Sequence, residues 1–129
     1  MGEAQRVIVV DAANVVGSRA DGWWKDRAGA ARRLLAELAD LTARLPESTA
    51  LTVVLEGAAK HAVDGTEPST PRMTVVLAER SGDDAIVEVV AAAPTDDITV
   101  VTADRELRSR VEAHGAATVG PTWLRDQLG

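Results

Sequence analysis

Val7-Ile8-Val9-Val10-Asp11 is the stretch that decides the fold. Four consecutive β-branched residues, with no polar alternation, read as a strand covered on both faces, as strands of parallel sheets are. An acid placed directly behind such a strand stands at its carboxyl end. Open α/β sheets bind their ligands there.

Outward from this strand the same logic repeats. After a turn-rich stretch (Gly17, Ser18, Asp21, Gly22), Ala31, Leu34, Leu35, Leu38, Leu41 and Leu45 recur at helical spacing, and Pro46 closes the helix. Leu51–Leu55 predicts a second buried strand ending at Glu56-Gly57. The polar segment from about Ala58 to Pro71, with Gly65, Pro68 and Pro71, fits neither periodicity and predicts a mobile loop. Met73–Leu77 predicts a third strand. Ser81-Gly82-Asp83-Asp84 then opens a helix striped by Ile86, Val89, Val90 and Ala93, with Ser81 and Asp84 resembling a capping box. Ile98–Val101 predicts a fourth strand, and Thr102-Ala103-Asp104 leads into a helix carrying Leu107 and Val111. Gly115 falls where a C-cap glycine belongs. Ala117–Val119 is a short fifth strand, and Gly120-Pro121 starts a last helix with Trp123, Leu124 and Leu128. Strands alternating with helices in this order predict a three-layer α/β fold, a mainly parallel five-stranded sheet with helices on both faces.

Composition narrows the function. A length of 129 residues suits one domain, 1–129, and a single site. The apolar residues are mainly Ala, Val, Leu and Ile, and Trp supplies the only aromatic rings. Without cysteine there is no disulfide framework, no Cys-based zinc site and no thiol nucleophile. No apolar run approaches the roughly 20 residues of a membrane span, and the N-terminus has no leader pattern, so a cytoplasmic, membrane-free protein is expected. A formal charge of −6 argues against broad adhesion to nucleic acid through a basic face. It leaves room for a metal-dependent nuclease, because bound cations reverse the local field where phosphate arrives.

The acids fall at strand ends. Asp11 follows strand one with no local cap evident for it, Glu56 follows strand two, Glu79 and Asp83 follow strand three, and Asp104 follows strand four. Taken alone, Asp104 reads as an N-cap and Asp83 and Asp84 as first-turn acids. Taken together, several carboxylates on one rim repel one another, and a cation removes that conflict. Oxygen-only ligands suit Mg²⁺ or Mn²⁺, and the chemistry they support is attack of water on a phosphodiester.

Asp11-Ala-Ala-Asn14, Ser81-Gly-Asp83-Asp84-Ala-Ile86 and Val101-Thr-Ala-Asp104-Arg105 together resemble the NYN branch of the PIN-like superfamily, including the YacP-like ribonucleases. The resemblance implies a PIN-like fold and an endoribonuclease acting on RNA; that RNA is expected to be single-stranded or in a loop, with unpaired bases for Trp23 and Trp24 near the rim to stack on. It implies Asp11, Asp83 and Asp104 as catalytic, metal-binding acids, Asn14 as the polar residue that orients loop or substrate, and Asp84 as an auxiliary acid. Glu56-Gly57 stands where the family usually has Asp-Gly, so Glu56 is a further candidate metal ligand. Ala12 and Ala13 stand at positions often held by Gly and Tyr. PIN-like proteins often pair, so a homodimer is a further expectation.

Other residues near this rim have open readings. Thr102 either hydrogen-bonds to a metal ligand, close to substrate, or only finishes a strand; Asn14 either serves the site or closes a turn on its own backbone. Trp23 and Trp24 either stack on unpaired bases or cap the core. Arg19, Lys25, Arg27 and Arg105 are placed to meet phosphates, whereas Arg32, Arg33, Arg108 and Arg110 read as solvated helix faces. Lys60, His61 and Arg72 flank the long loop, which on this reading folds over a substrate. A haloacid-dehalogenase-like phosphatase would need an acid at Ala13 and a downstream Lys, and no Lys follows Lys60. That also argues against a receiver domain, and no glycine-rich phosphate loop is present. The rivals are a PIN-like module that has lost cleavage and a metal-dependent hydrolase of small nucleotides.

Overall fold

The computed structural model describes residues 5–18, 22–62 and 72–128; of Trp23 and Ala62 only the backbone is described. The elements run β1 (Arg6–Asp11), α1 (Ala12–Gly17), a 3-10 turn (Trp23–Lys25), α2 (Arg27–Arg44), β2 (Thr49–Leu55), a second 3-10 turn (Gly57–Ala62), β3 (Met73–Leu77), α3 (Gly82–Ala92), β4 (Ile98–Val101), α4 (Arg105–Glu112), β5 (Ala117–Val119) and α5 (Pro121–Leu128). The sheet order is β3-β2-β1-β4-β5, and every neighbouring pair is parallel.

Alternation along β1 explains why the sheet is sandwiched. Ile8 and Val10 join one apolar cluster with Leu34, Leu35 and Leu38 of α2, while Val7 and Val9 join another with Ile86 of α3 and Leu107 of α4. Both faces of one strand are thereby removed from water. Each fully buried Leu or Ile contributes about 2 kcal/mol by transfer alone. Helices α1, α2 and α5 lie on the first face, α3 and α4 on the second. No helix of the described residues is long and apolar enough to cross a membrane.

Two expectations need correction. A short helix, α1, directly follows Asp11 where only a turn was expected; its Asn, Val and Gly have poor helix propensity, but Ala12, Val15 and Val16 are buried, and that packing outweighs propensity. The expected loop after β2 opens with the 3-10 turn Gly57–Ala62, and residues 63–71 lie outside the described residues. Gly115 follows α4 with φ +89, the left-handed conformation expected of a glycine at a helix end.

Chain order places the candidate rim. From β1 the chain builds β2 and β3 to one side, then returns to add β4 and β5 on the other side of β1. The β1/β4 boundary is therefore a topological switch point, and in such sheets the crevice beyond the strand ends is where ligands bind.

Candidate active site

Asp11 and the loop after β4 meet at this switch point and are bonded together. One Asp11 oxygen (Oδ1) accepts from the Asn14 backbone N–H at 3.3 Å, so Asp11 is the N-cap of α1, against the expectation that it had no cap to make. The other (Oδ2) accepts from the Thr102 hydroxyl at 2.9 Å. The same hydroxyl accepts the Asp104 N–H at 3.2 Å, and the Asn14 side-chain oxygen accepts the Ala103 N–H at 2.8 Å. These bonds cross from β1 to β4 and fix Asp11 and Asp104 relative to each other. Asn14 thus reaches across the rim rather than closing a turn on itself.

The other acids are set by helix starts. Asp104 caps α4 through Leu107 N–H at 2.9 Å, as an Asp in that position prefers. Asp83 sits in the first turn of α3, which Ser81 caps through Asp84 N–H at 3.2 Å. Glu56 reaches the same helix start from β2, where its Oε2 accepts the Gly82 N–H at 2.8 Å. A Cβ at position 82 would lie 3.0 Å from the Glu56 carboxyl carbon, so glycine permits that approach. Glu56 therefore spends one oxygen on holding α3.

Electrostatics shows which acids act on one another. Burial pushes the Asp11 carboxyl, only 7% exposed, from 3.8 up to about 6; the Thr102 and Asn14 bonds pull the other way, and repulsion from Asp83 and Glu56 adds to the rise. Asp83 is also raised, first by burial, then by Asp104 and Glu56. Asp83 and Glu56 thus act on Asp11, and Asp104 and Glu56 act on Asp83, which brings the four acids into one neighbourhood. Glu79 is exposed and lines a different groove, along α3 with Asp84 and Glu88.

Among the described residues no three acidic or histidine side chains stand as a ready-made cage for an ion. The donor set nonetheless fits a small hard cation, because such ions bind through one or two carboxylates and fill the remaining positions with water and phosphate. Asp83 and Asp104 share a like-charge repulsion that a cation between them would relieve, with Asp11 adjoining.

Several expected substrate contacts are otherwise engaged. Thr102 is fully buried with its hydroxyl committed to Asp11, so it positions an acid instead of touching substrate. Asp84 pairs with Arg110 at 2.9 Å, which holds its carboxyl below the usual range and engages it outside any substrate contact, while the same guanidinium also acts on Asp83. Neither Arg110 nor Arg108 is simply a solvated helix-face residue: Arg108 donates from Nε to the Thr102 carbonyl at 2.8 Å. Arg72, which follows the long loop, binds the carbonyls of Thr42, Leu45, Pro46 and Thr49 at the far end of the sheet, and the loop expected to fold over a substrate lies, at residues 63–71, outside the described residues. Lys60 donates to the Ala78 carbonyl at 3.0 Å. Arg105, Lys25 and Trp24 are exposed; the Trp23 side chain and Arg19 lie outside the described residues. Sequence reading missed Arg80, which follows β3 and faces the rim beside Glu56, because an isolated exposed Arg carries no local signal.

Comparison with known proteins agrees with this architecture. The crystal structure of Rae1 (YacP) from Bacillus subtilis is similar at a TM-score of 0.74 and 17% identity, covering 95% of this chain and 74% of that one, which supports the fold. The curated proteins yield no match. The YacP-like NYN domain matches residues 8–129, from the first buried strand to the last residue. The chain belongs to the YacP-like NYN domain family.

Proposed function

We propose that this protein is a metal-dependent endoribonuclease, with Asp11, Asp83 and Asp104 as the acids that hold Mg²⁺ or Mn²⁺. The observation that carries this reading is the bonded frame at the switch point, in which the Thr102 hydroxyl joins the Asp11 carboxylate to the Asp104 N–H, together with the repulsion that Asp83 exerts on Asp11 and Asp104 exerts on Asp83. Family membership and the ribonuclease activity general to that family support it. When bound, a divalent ion supplies a more acidic water and offsets charge on the phosphate oxygens.

The chain's own groups divide the remaining work. Thr102 and Asn14 hold Asp11 and the β4–α4 loop in register, and Glu56 fixes the start of α3, from which Asp83 projects. Exposed Arg105 and Lys25 are donors for the RNA backbone, which carries the charge. A second reading, an RNA-binding or protein-interaction module without cleavage, draws on the bond by which Glu56 holds the Gly82 N–H and on the lack of a ready-made cage among the described residues.

Incubation with single-stranded and structured RNA in Mg²⁺ or Mn²⁺, beside Asp11→Asn and Asp104→Asn, tests the choice. Cutting that needs the metal and falls about 100-fold or more in both variants supports the nuclease. RNA binding without cutting supports the module. Turnover of free nucleotides alone points to a small-nucleotide hydrolase.

A further inference from the structure

Next to the acid set, beyond the carboxyl ends of β1, β2 and β3, lies a cleft of about 330 Å³. Ala12, Val16 and Ala31 line its apolar side, all buried, and Arg27, Glu56 and Arg80 its polar side. Ligand pockets begin at roughly 300 Å³, so this one takes a single ring system with its sugar and little more. Its small aliphatic side chains offer a smooth surface on which a flat ring makes contact without a stacking partner. Two guanidiniums supply donors only, and Glu56 supplies an acceptor. That combination matches the mixed hydrogen-bonding edge of a base and the phosphate beside it.

Location ties the cleft to the acids. Glu56 lines the cleft and also acts electrostatically on Asp11 and Asp83. A strand whose phosphodiester lies at the acids therefore reaches the cleft with a neighbouring nucleotide. We propose that the cleft receives one unpaired base of an RNA strand next to the phosphodiester held at Asp11, Asp83 and Asp104, with Arg27 and Arg80 on the adjoining phosphate. This rests on the nuclease reading for the scissile group, but the base site stands on its own geometry. A base can enter only after leaving its stack, so the substrate is single-stranded or looped at that point.

The test uses the full chain and labelled single-stranded RNA octamers, each with one abasic site at a different position, in buffer containing Ca²⁺. Affinity is read by fluorescence anisotropy, and cutting is read separately in Mn²⁺. In the native protein one abasic position should weaken binding about 10-fold while its neighbours matter little. Ala13→Phe, at an exposed α1 position on the edge of the cleft, should weaken binding of intact RNA by a similar factor and erase the abasic penalty. Arg80→Glu, also exposed, should weaken binding and reduce its salt dependence while the abasic penalty persists. Equal affinity for every abasic octamer, or an unchanged penalty in Ala13→Phe with full binding in Arg80→Glu, would overturn the proposal. Position-dependent binding without any metal-dependent cutting would keep the base site and discard the nuclease.

Discussion

The two rims of the sheet treat charge in opposite ways. At the amino rim, Arg72 gives hydrogen bonds to four carbonyls where α2 ends and β2 begins, Arg6 stands 4.0 Å from Asp97, and Thr95 binds both the Gln5 carbonyl and the Asp97 N–H. At the carboxyl rim the acids also make hydrogen bonds, to Asn14, Thr102, Gly82 and Leu107, yet they still repel one another. Hydrogen bonds at one rim complete the fold. At the other they hold like charges in place, a cost that folding alone does not require and that a bound cation would offset.

Substitutions at the two rims should therefore separate activity from stability. The largest effect is expected for Asp104→Asn, which removes a charge but keeps a good N-cap: cutting of RNA in Mn²⁺ should fall about 100-fold or more with little change in melting temperature. Arg72→Ala should do the reverse, costing about 2–4 kcal/mol in denaturant titration while leaving specific activity below the melting transition unchanged.

Asp11 offers a pH signature of the same contrast. Its carboxyl is raised from 3.8 to about 6, so the folded chain binds the proton more tightly than the unfolded chain. In metal-free buffer its contribution to stability is full below pH 4 and is lost as pH rises toward and through 6, by about 3 kcal/mol in all. Asp11→Asn should flatten that slope, and denaturant titrations at pH 4, 5, 6 and 7 read it directly. Thr102→Val keeps shape but removes the bond to Asp11 and the acceptor for Asp104 N–H, so activity should drop about 10-fold to 100-fold with the melting temperature lowered modestly. Asp84→Asn is the smallest perturbation. Its pairing with Arg110 is exposed and adds little to stability, and because Arg110 also acts on Asp83, activity should shift by no more than about 2-fold while the melting temperature holds.

What the sequence disclosed follows the range of the interactions. β3, β4 and β5 have the bounds expected from their apolar runs, and Ser81 and Asp104 cap the helices they precede, because these features depend on neighbours in the chain. The placement of Asp11, Glu56 and Asp104 was legible for a different reason, since a parallel sheet brings strand ends to one rim whatever their separation in sequence, whereas Glu79, read the same way, lines another groove. The bonds that organise the acids were legible only in part: Thr102 had a bond to a metal ligand as one of two readings, with nothing to say which ligand it meets. Glu56 to Gly82 spans 26 residues and Thr102 to Asp11 spans 91, and neither partner carries a local sign of the other. Helix α1 escaped notice for a related reason: Val15 and Val16 are helical only because the fold buries them.

Whether a cation settles among these acids decides between a nuclease and a binding module. Mn²⁺ is paramagnetic, so its addition in small amounts to isotopically labelled protein, followed by two-dimensional NMR, reports its location without any substrate. The expected result is selective broadening of the backbone amides around Asp11, Asp83 and Asp104, removed by Mg²⁺ in excess and absent in Asp104→Asn. Broadening spread over the acidic surface, or centred on Glu79 and Glu88, would contradict it.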